Sequence, residues 1–162
     1  MGVTLRIWID QTLRSMSYRI IEGDCIDGMR TIPEGSVDTC VTSPPYFGLR
    51  DYGHDGQIGL EETPEAFVAK LVDVFRDVRR VLRDDGTLWL NLGDTYSRDL
   101  RDGALPKSLV LAPERLAAAL VSDGWILRNK VIWAKPNPMP TSVRDRLSCT
   151  WEVVYFFTKS KS

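Results

Sequence analysis

The stretch Val37-Asp38-Thr39-Cys40-Val41-Thr42-Ser43-Pro44-Pro45-Tyr46 runs from β-branched and apolar residues straight into two prolines. Val37 to Thr42 has the composition of a buried strand. Pro44 and Pro45 cannot extend a sheet ladder, because neither nitrogen carries a hydrogen to donate. The strand must therefore end in a stiff polar loop, and α/β proteins hold their ligands outside the carboxyl ends of such strands. A bare Pro-Pro-Tyr can equally be a tight turn with an aromatic lid over the core, so the surrounding sequence decides its meaning.

Toward the N-terminus, Tyr18 to Glu22 reads as a short strand ending at Gly23-Asp24. The amphipathic stretch Cys25 to Thr31 and the turn Pro33-Glu34-Gly35 then lead into Val37. In the other direction, Thr63-Pro64 supplies an N-cap and a first-turn proline. Phe67, Leu71, Phe75, Val78 and Leu82 follow at spacings of three and four, which predicts a helix running to about Leu82. Arg76, Arg79, Arg80 and Arg83 fall near its end, where cations suit the helix dipole, and read as a structural, solvated face. Asp84-Asp85-Gly86 reads as a turn into a strand over Thr87 to Leu92 that ends at Gly93-Asp94-Thr95-Tyr96. Pro113 opens a further helix with Leu116, Leu120 and Val121 inward, Gly124 closes it, and Trp125 to Trp133 and Trp151 to Thr158 read as strands. This alternation predicts an α/β fold with a mostly parallel sheet, and it puts Asp24, Ser43 and Asp94 at the ligand-binding strand ends.

The chain has 162 residues, 43% hydrophobic and 27% charged, which fits one globular domain and excludes a disordered or collagen-like chain. A net charge of -1 gives no global field for a polyanion, so any nucleic-acid contact must be local or shared with another polypeptide. Cys25, Cys40 and Cys149 lack C-x-x-C spacing, and His54 is the single histidine. These argue against a disulfide framework and a metal site and fit a reducing cytoplasm. Met1 to Ser15 carries Arg6, Asp10 and Arg14 where a secretory signal needs an apolar run, and no stretch approaches the ~18 apolar residues of a membrane span. Residues 1–17, with a second Met at position 16, read as an N-terminal extension or as an ordinary first strand at Leu5 to Ile9. The main domain is expected over residues 18–162.

Ser43-Pro44-Pro45-Tyr46 after its strand, preceded by Gly23-Asp24-Cys25 and followed by Gly48-Leu49-Arg50-Asp51-Tyr52-Gly53, resembles the β-class DNA amino-methyltransferases of phages and restriction-modification systems. The runs from Gly86 to Asp94, Gly124-Trp125, Ile132 to Pro140 and Glu152 to Lys159 resemble that family's later motifs in order, so the likeness extends from about residue 18 to the end. It implies a Rossmann-like, S-adenosylmethionine-dependent enzyme acting on double-stranded DNA without a metal. The exocyclic amine of cytosine or adenine gives its lone pair to the ring, so acceptors must hold its N–H groups before it can attack a methyl group. By resemblance, the Ser43 hydroxyl and the Pro44 carbonyl are those acceptors, Pro45 stiffens the elbow, and Tyr46 stacks on a base turned out of the duplex. Phe47 beside it, together with Asp94, Lys135, Asn137 and Arg144, is a candidate for substrate contact. Arg146 belongs to the same polar loop, and simple solvation is the alternative for the residues of that loop. Asp24 and Cys25 match the cofactor position, although Asp24 equally reads as the N-cap of the helix that follows.

The resemblance also implies what is missing. The family continues, after a target-recognition region, into a Phe-x-Gly-x-Gly turn around the cofactor. Neither Gly56-Gln57-Ile58-Gly59 nor Gly23-Asp24-Cys25 has its spacing. The chain therefore resembles the first, catalytic half of a methyltransferase. Its sheet should lack the strands of the glycine-rich half and show an open strand edge, and a C-terminal segment or a complementing chain would complete it. Serine before Pro-Pro-Tyr favours N4 of cytosine over N6 of adenine. A non-catalytic nucleic-acid-binding remnant is the alternative from another class. Protein-glutamine or RNA methylation fits less well, since those families usually carry Asn before the prolines.

Overall fold

The strand and helix signals fall on real elements, with altered boundaries. The computed structural model describes residues 6–8 and 18–161. In chain order the elements are β1 Arg6–Trp8, β2 Tyr18–Ile20, α1 Cys25–Arg30, β3 Val37–Thr42, α2 Pro64–Val81, β4 Leu82–Leu92, α3 Ala112–Ser122, β5 Ile126–Ala134 and β6 Trp151–Thr158. Thr63 caps α2 by accepting the Ala66 N–H at 3.2 Å, and Phe67, Leu71, Phe75 and Val78 are buried along one face, as their spacing requires. The helix ends at Val81 with Leu82 as its C-cap, as expected. Leu82 also opens β4, and the expected Asp84–Gly86 turn is absorbed as a bulge: Val37 lies opposite Leu82, yet Thr39 lies opposite Thr87.

The main sheet has the order β3-β4-β6-β5. β3 pairs parallel with β4, while β6 pairs antiparallel with both β4 and β5. β3, β4 and β5 thus share one direction, as the alternation of strands and helices implies. β6 departs from the mostly parallel expectation, and the reason lies in its connection. Helices α2 and α3 carry the chain back across the sheet after β3 and β4, whereas the segment between β5 and β6 contains no helix and returns the chain antiparallel. β2 stays out of this sheet and pairs with β1, Arg6 opposite Ile20. This leaves β3 as an edge strand, with Val41 70% exposed, which is the open edge anticipated for a sheet without its glycine-rich half. Of the anticipated N-terminal extension, residues 1–5 and 9–17 lie outside the described residues.

One face of the sheet is dry. Leu88, Leu90 and Leu92 of β4 and Val153, Tyr155 and Phe157 of β6 join the α2 and α3 side chains in a single core. The buried Tyr155 hydroxyl donates to Glu114 on α3 at 3.2 Å, so that phenol is not left unpaired. The alternate residues point the other way. There Trp89 and Phe156 stack across the β4–β6 ladder with ring centroids 4.3 Å apart, and Asn91 and Glu152 share that face.

The N-terminus of α3 has no cap of its own. Leu111 sits there with φ 60° and contributes no side-chain hydrogen bond. Asp94, just past the end of β4, supplies the cap from across the fold. Its carboxylate accepts from Leu111 N at 2.9 Å, Ala112 N at 3.1 Å and its neighbour Thr95 N at 2.9 Å. Asp94→Ala should therefore destabilise the chain by about 0.5 to 2 kcal/mol in urea unfolding, the range of a lost helix cap. A change near zero would show that the cap is redundant.

Candidate active site

Parallel pairing brings the two polar strand ends together. Thr42 lies opposite Leu90, so the next residues, Ser43 just past the end of β3 and Asn91 still within β4, stand side by side. Ser43 is exposed and its hydroxyl lies 3.3 Å from Asn91 Oδ1. Pro44 is buried, and among the described residues no backbone N–H is hydrogen-bonded to its carbonyl. Tyr46 is half-buried. Its hydroxyl reaches Glu152 Oε2 at 3.0 Å and Asn91 Oδ1 at 3.2 Å, and its ring lies directly on Gly93. A Cβ at position 93 would come within 2.3 Å of the Tyr46 Cε2 atom, so only glycine admits the ring there. Gly59 closes the other side: its backbone carbonyl accepts the Gly48 N–H at 2.7 Å, its φ is 106°, and a Cβ there would press within 3.0 Å of the Tyr46 carbonyl oxygen.

The elbow rests on a small charged network. Glu152, at the start of β6, is ion-paired with Lys135, at the end of the β5 hairpin arm, through Oε1 and receives Tyr46 on Oε2. Asn91 Nδ2 donates to Val153 O at 3.1 Å and faces Glu152 Oε2 at 3.4 Å. Burial alone would push the Glu152 carboxyl up, but the hydrogen bonds from Lys135, Tyr46 and Asn91 and the Lys135 charge hold it below its ordinary value. Burial, followed by the charge of Glu152, pushes the Tyr46 phenol above its ordinary value. Glu152 is thus held as an anion and Tyr46 as a neutral donor.

Next to the elbow, Phe47, Asp94, Tyr96, Arg98 and Arg146 border an open cleft of about 350 Å³. The Arg146 guanidinium lies 3.5 Å above the Tyr96 ring, a cation–π contact that presents a charge and an aromatic face together. The candidate residues have the following surroundings. Phe47 is a core residue, 4% exposed and packed at 5.6 Å against Phe67, because the elbow folds it under α2. Asp94 is committed to capping α3, and Lys135 turns inward to Glu152. Asn137 and Arg144 remain on the exposed segment before β6. Asp24 does cap α1, with Oδ1 accepting from Ile26 N at 2.9 Å and Asp27 N at 3.4 Å. Cys25 begins that helix half-buried, and α1 packs on α2. Asn91, Glu152 and Tyr96 were not singled out from the sequence. The available signal was a polar side chain inside the apolar run Leu88 to Leu92 and a carboxylate within the apolar strand Trp151 to Thr158.

The model of the DNA methylase family, which groups N6 and N4 enzymes, matches residues 37–162. The chain is 47% identical over 153 residues to the Type II methyltransferase M.SfiI of Streptomyces fimbriatus, covering 89% of this chain and 36% of that protein. It is 45% identical over 174 residues to M.SmaI of Serratia marcescens, covering 94% of this chain and 59% of that protein. It therefore spans 36% to 59% of the length of these relatives. Among solved structures, the cytosine-N4-specific PvuII DNA methyltransferase shares the fold with a TM-score of 0.68 at 18% identity, over 86% of this chain and 48% of that one. A DNA modification methylase of Thermus thermophilus, solved with S-adenosyl-L-methionine, gives a TM-score of 0.65 at 26% identity, over 86% of this chain and 52% of that one.

The electrostatics of the elbow can be tested apart from any activity. A carboxyl held below its ordinary 4.5 contributes stability that is fully present above that pH and is lost as pH falls through the folded value. Lys135→Met removes the ion-pair partner, so the Glu152 carboxyl, followed by NMR, should titrate at higher pH than in the wild type, and acid unfolding should start earlier. An unmoved titration would mean that Lys135 does not set the charge of Glu152.

Proposed function

Since the chain belongs to the DNA methylase family, we propose that it forms the catalytic half of a cytoplasmic, S-adenosylmethionine-dependent DNA amino-methyltransferase, with N4 of cytosine as the target. The observation that carries this reading is the exposed Ser43 hydroxyl, fixed at the carboxyl end of β3 beside Pro44 and over the Asn91–Glu152 network. An aromatic amine needs such fixed acceptors, and the double proline holds them without a competing donor. Ser43 and the Pro44 carbonyl take the two amine N–H groups. Tyr46, with its ring seated on Gly93 and its hydroxyl tied to Glu152, offers a face on which an extruded base can stack.

S-adenosylmethionine, when bound, supplies an electrophilic methyl group. The residues present fit part of its site. Asp24 is exposed and uses Oδ1 for the cap, while Oδ2 has no hydrogen bond among the described residues and can accept from a ligand hydroxyl. The cap reading and the cofactor reading of Asp24 are therefore compatible. Cys25 stands next to it. The rest of the pocket is assigned to a glycine-rich segment, on the same polypeptide or on a complementing chain, that pairs along the open edge of β3. Residues 18–162 then act as the catalytic half, with residues 1–17 as an extension. Double-stranded DNA is the partner, and Arg144, Arg146 and Asn137 are available to meet its phosphates.

Two measurements test this. Nucleoside mass spectrometry of DNA incubated with S-adenosylmethionine and the chain, completed where necessary, should detect N4-methylcytosine. N6-methyladenine instead would overturn the base assignment, and no methylated base would favour a binding remnant. Tyr46→Ala should abolish most transfer and weaken DNA binding by about 1 to 3 kcal/mol, the value of one base–aromatic stack, whereas Tyr46→Phe should keep the binding. By calorimetry, the chain alone should bind S-adenosylmethionine more weakly than micromolar, because half a pocket falls short of the required free energy of about -8 kcal/mol.

A further inference from the structure

We propose that Asn91 and Glu152 are positioning residues that aim the Ser43 hydroxyl, making it a hydrogen-bond acceptor toward the target amine. This rests on the amino-methyltransferase reading above. It addresses a weakness of serine at such a site: a hydroxyl can donate or accept, and donation toward the amine nitrogen would occupy the lone pair that must attack.

The direction of each bond follows from what its neighbours can do. One end of the Asn91 amide faces Val153 O at 3.1 Å and Glu152 Oε2 at 3.4 Å, a carbonyl and a carboxylate that only accept. That end must be the NH2 group, since the reverse orientation would set an oxygen against two oxygens. Asn91 Oδ1 therefore points to the hydroxyls of Ser43 and Tyr46. Tyr46 has one proton and two candidate acceptors. Glu152 Oε2 is the nearer, at 3.0 Å against 3.2 Å, and it is charged, so Tyr46 donates there. Asn91 Oδ1 is left for the Ser43 proton. With that proton turned inward, the Ser43 lone pairs face the exposed side of the elbow. Lys135 completes the chain by pairing with the far oxygen of Glu152. In this relay of orientations Lys135 holds Glu152, Glu152 takes the Tyr46 proton, and Asn91, its amide fixed by Val153 O, orients Ser43.

Steady-state methyl transfer from S-adenosylmethionine to DNA, by the full-length or complemented enzyme, tests this with the wild type, Glu152→Gln, and Glu152→Gln combined with Tyr46→Phe. Glutamine at 152 lacks the charge that draws the Tyr46 proton, so the phenol can turn to Asn91 Oδ1 and displace Ser43 from it, while Val153 O still fixes the amide. The expected result is a kcat lower by about 100-fold, the worth of one preorganised hydrogen bond at a reacting centre, with KM for DNA little changed. In the double variant no phenol proton competes, Ser43 keeps Asn91 Oδ1, and most of kcat should return, which a merely structural role would not give. Wild-type kcat in Glu152→Gln, or a loss that the second substitution leaves uncorrected, overturns the inference. An inactive completed wild type removes the methyltransferase reading and this inference with it, whereas an active one with an unaffected Glu152→Gln removes this inference alone. If Glu152→Gln melts below the assay temperature, a cycle of Ser43→Ala and Asn91→Ala decides. Losses that do not add support the relay, and additive losses refute it.

Discussion

The parallel ladder between β3 and β4 is the constraint on which the rest depends. Side chains alternate along a strand, so a slip of one residue would turn Ser43 or Asn91 onto the dry face and separate them. The register is pinned by burial on one side: Val37 and Cys40 of β3 and Leu88, Leu90 and Leu92 of β4 have their places in the core. The mismatch between the strands is taken up early, in the bulge that follows Leu82, well before the polar ends. By Thr42 and Leu90 the pairing is regular, and the prolines stop it at once.

Function and stability are divided between the two faces of the sheet. Helices α2 and α3 cover one, and the apolar burial that holds the fold together is there. The other carries the stacked Trp89 and Phe156, then Asn91 and Glu152, and the elbow closes over its end. Tyr46 and Glu152 lie 106 positions apart in sequence and meet because β6 inserts between β4 and β5. Had the last connection carried a helix, β6 would have entered parallel and its glutamate would have arrived at the wrong end of the sheet.

The elements and the elbow were legible because they are local. Periods of three and four marked α2, β-branched runs marked the strands, and two adjacent prolines can mean little but a stop. The network under the elbow was not legible, since a single polar residue in an apolar strand has no local partner and its purpose depends on which strand lies beside it. For the same reason the capping role of Asp94 at the ligand edge was not legible, because its partners are the distant backbone amides of Leu111 and Ala112. The packing of Phe47 was not legible either: it follows Tyr46 in a tight turn, where consecutive residues point in different directions, and its ring packs on Phe67 at the floor of the cleft. The reversal of β6 lay in the absence of a helix between Ala134 and Trp151, a negative signal that composition did not mark.

The contact of Tyr46 with Gly93 has a consequence on the scale of descent. Two positions that look independent in the sequence share one volume, and neither can change freely while the other stays. Any side chain at 93 expels the ring, and the loss of the ring leaves a hollow over a glycine that no longer has a reason to be one. Such a pair should drift as a unit. Among homologues, a chain with another residue at one of these sites should differ at both, and a chain that has kept one should have kept the other.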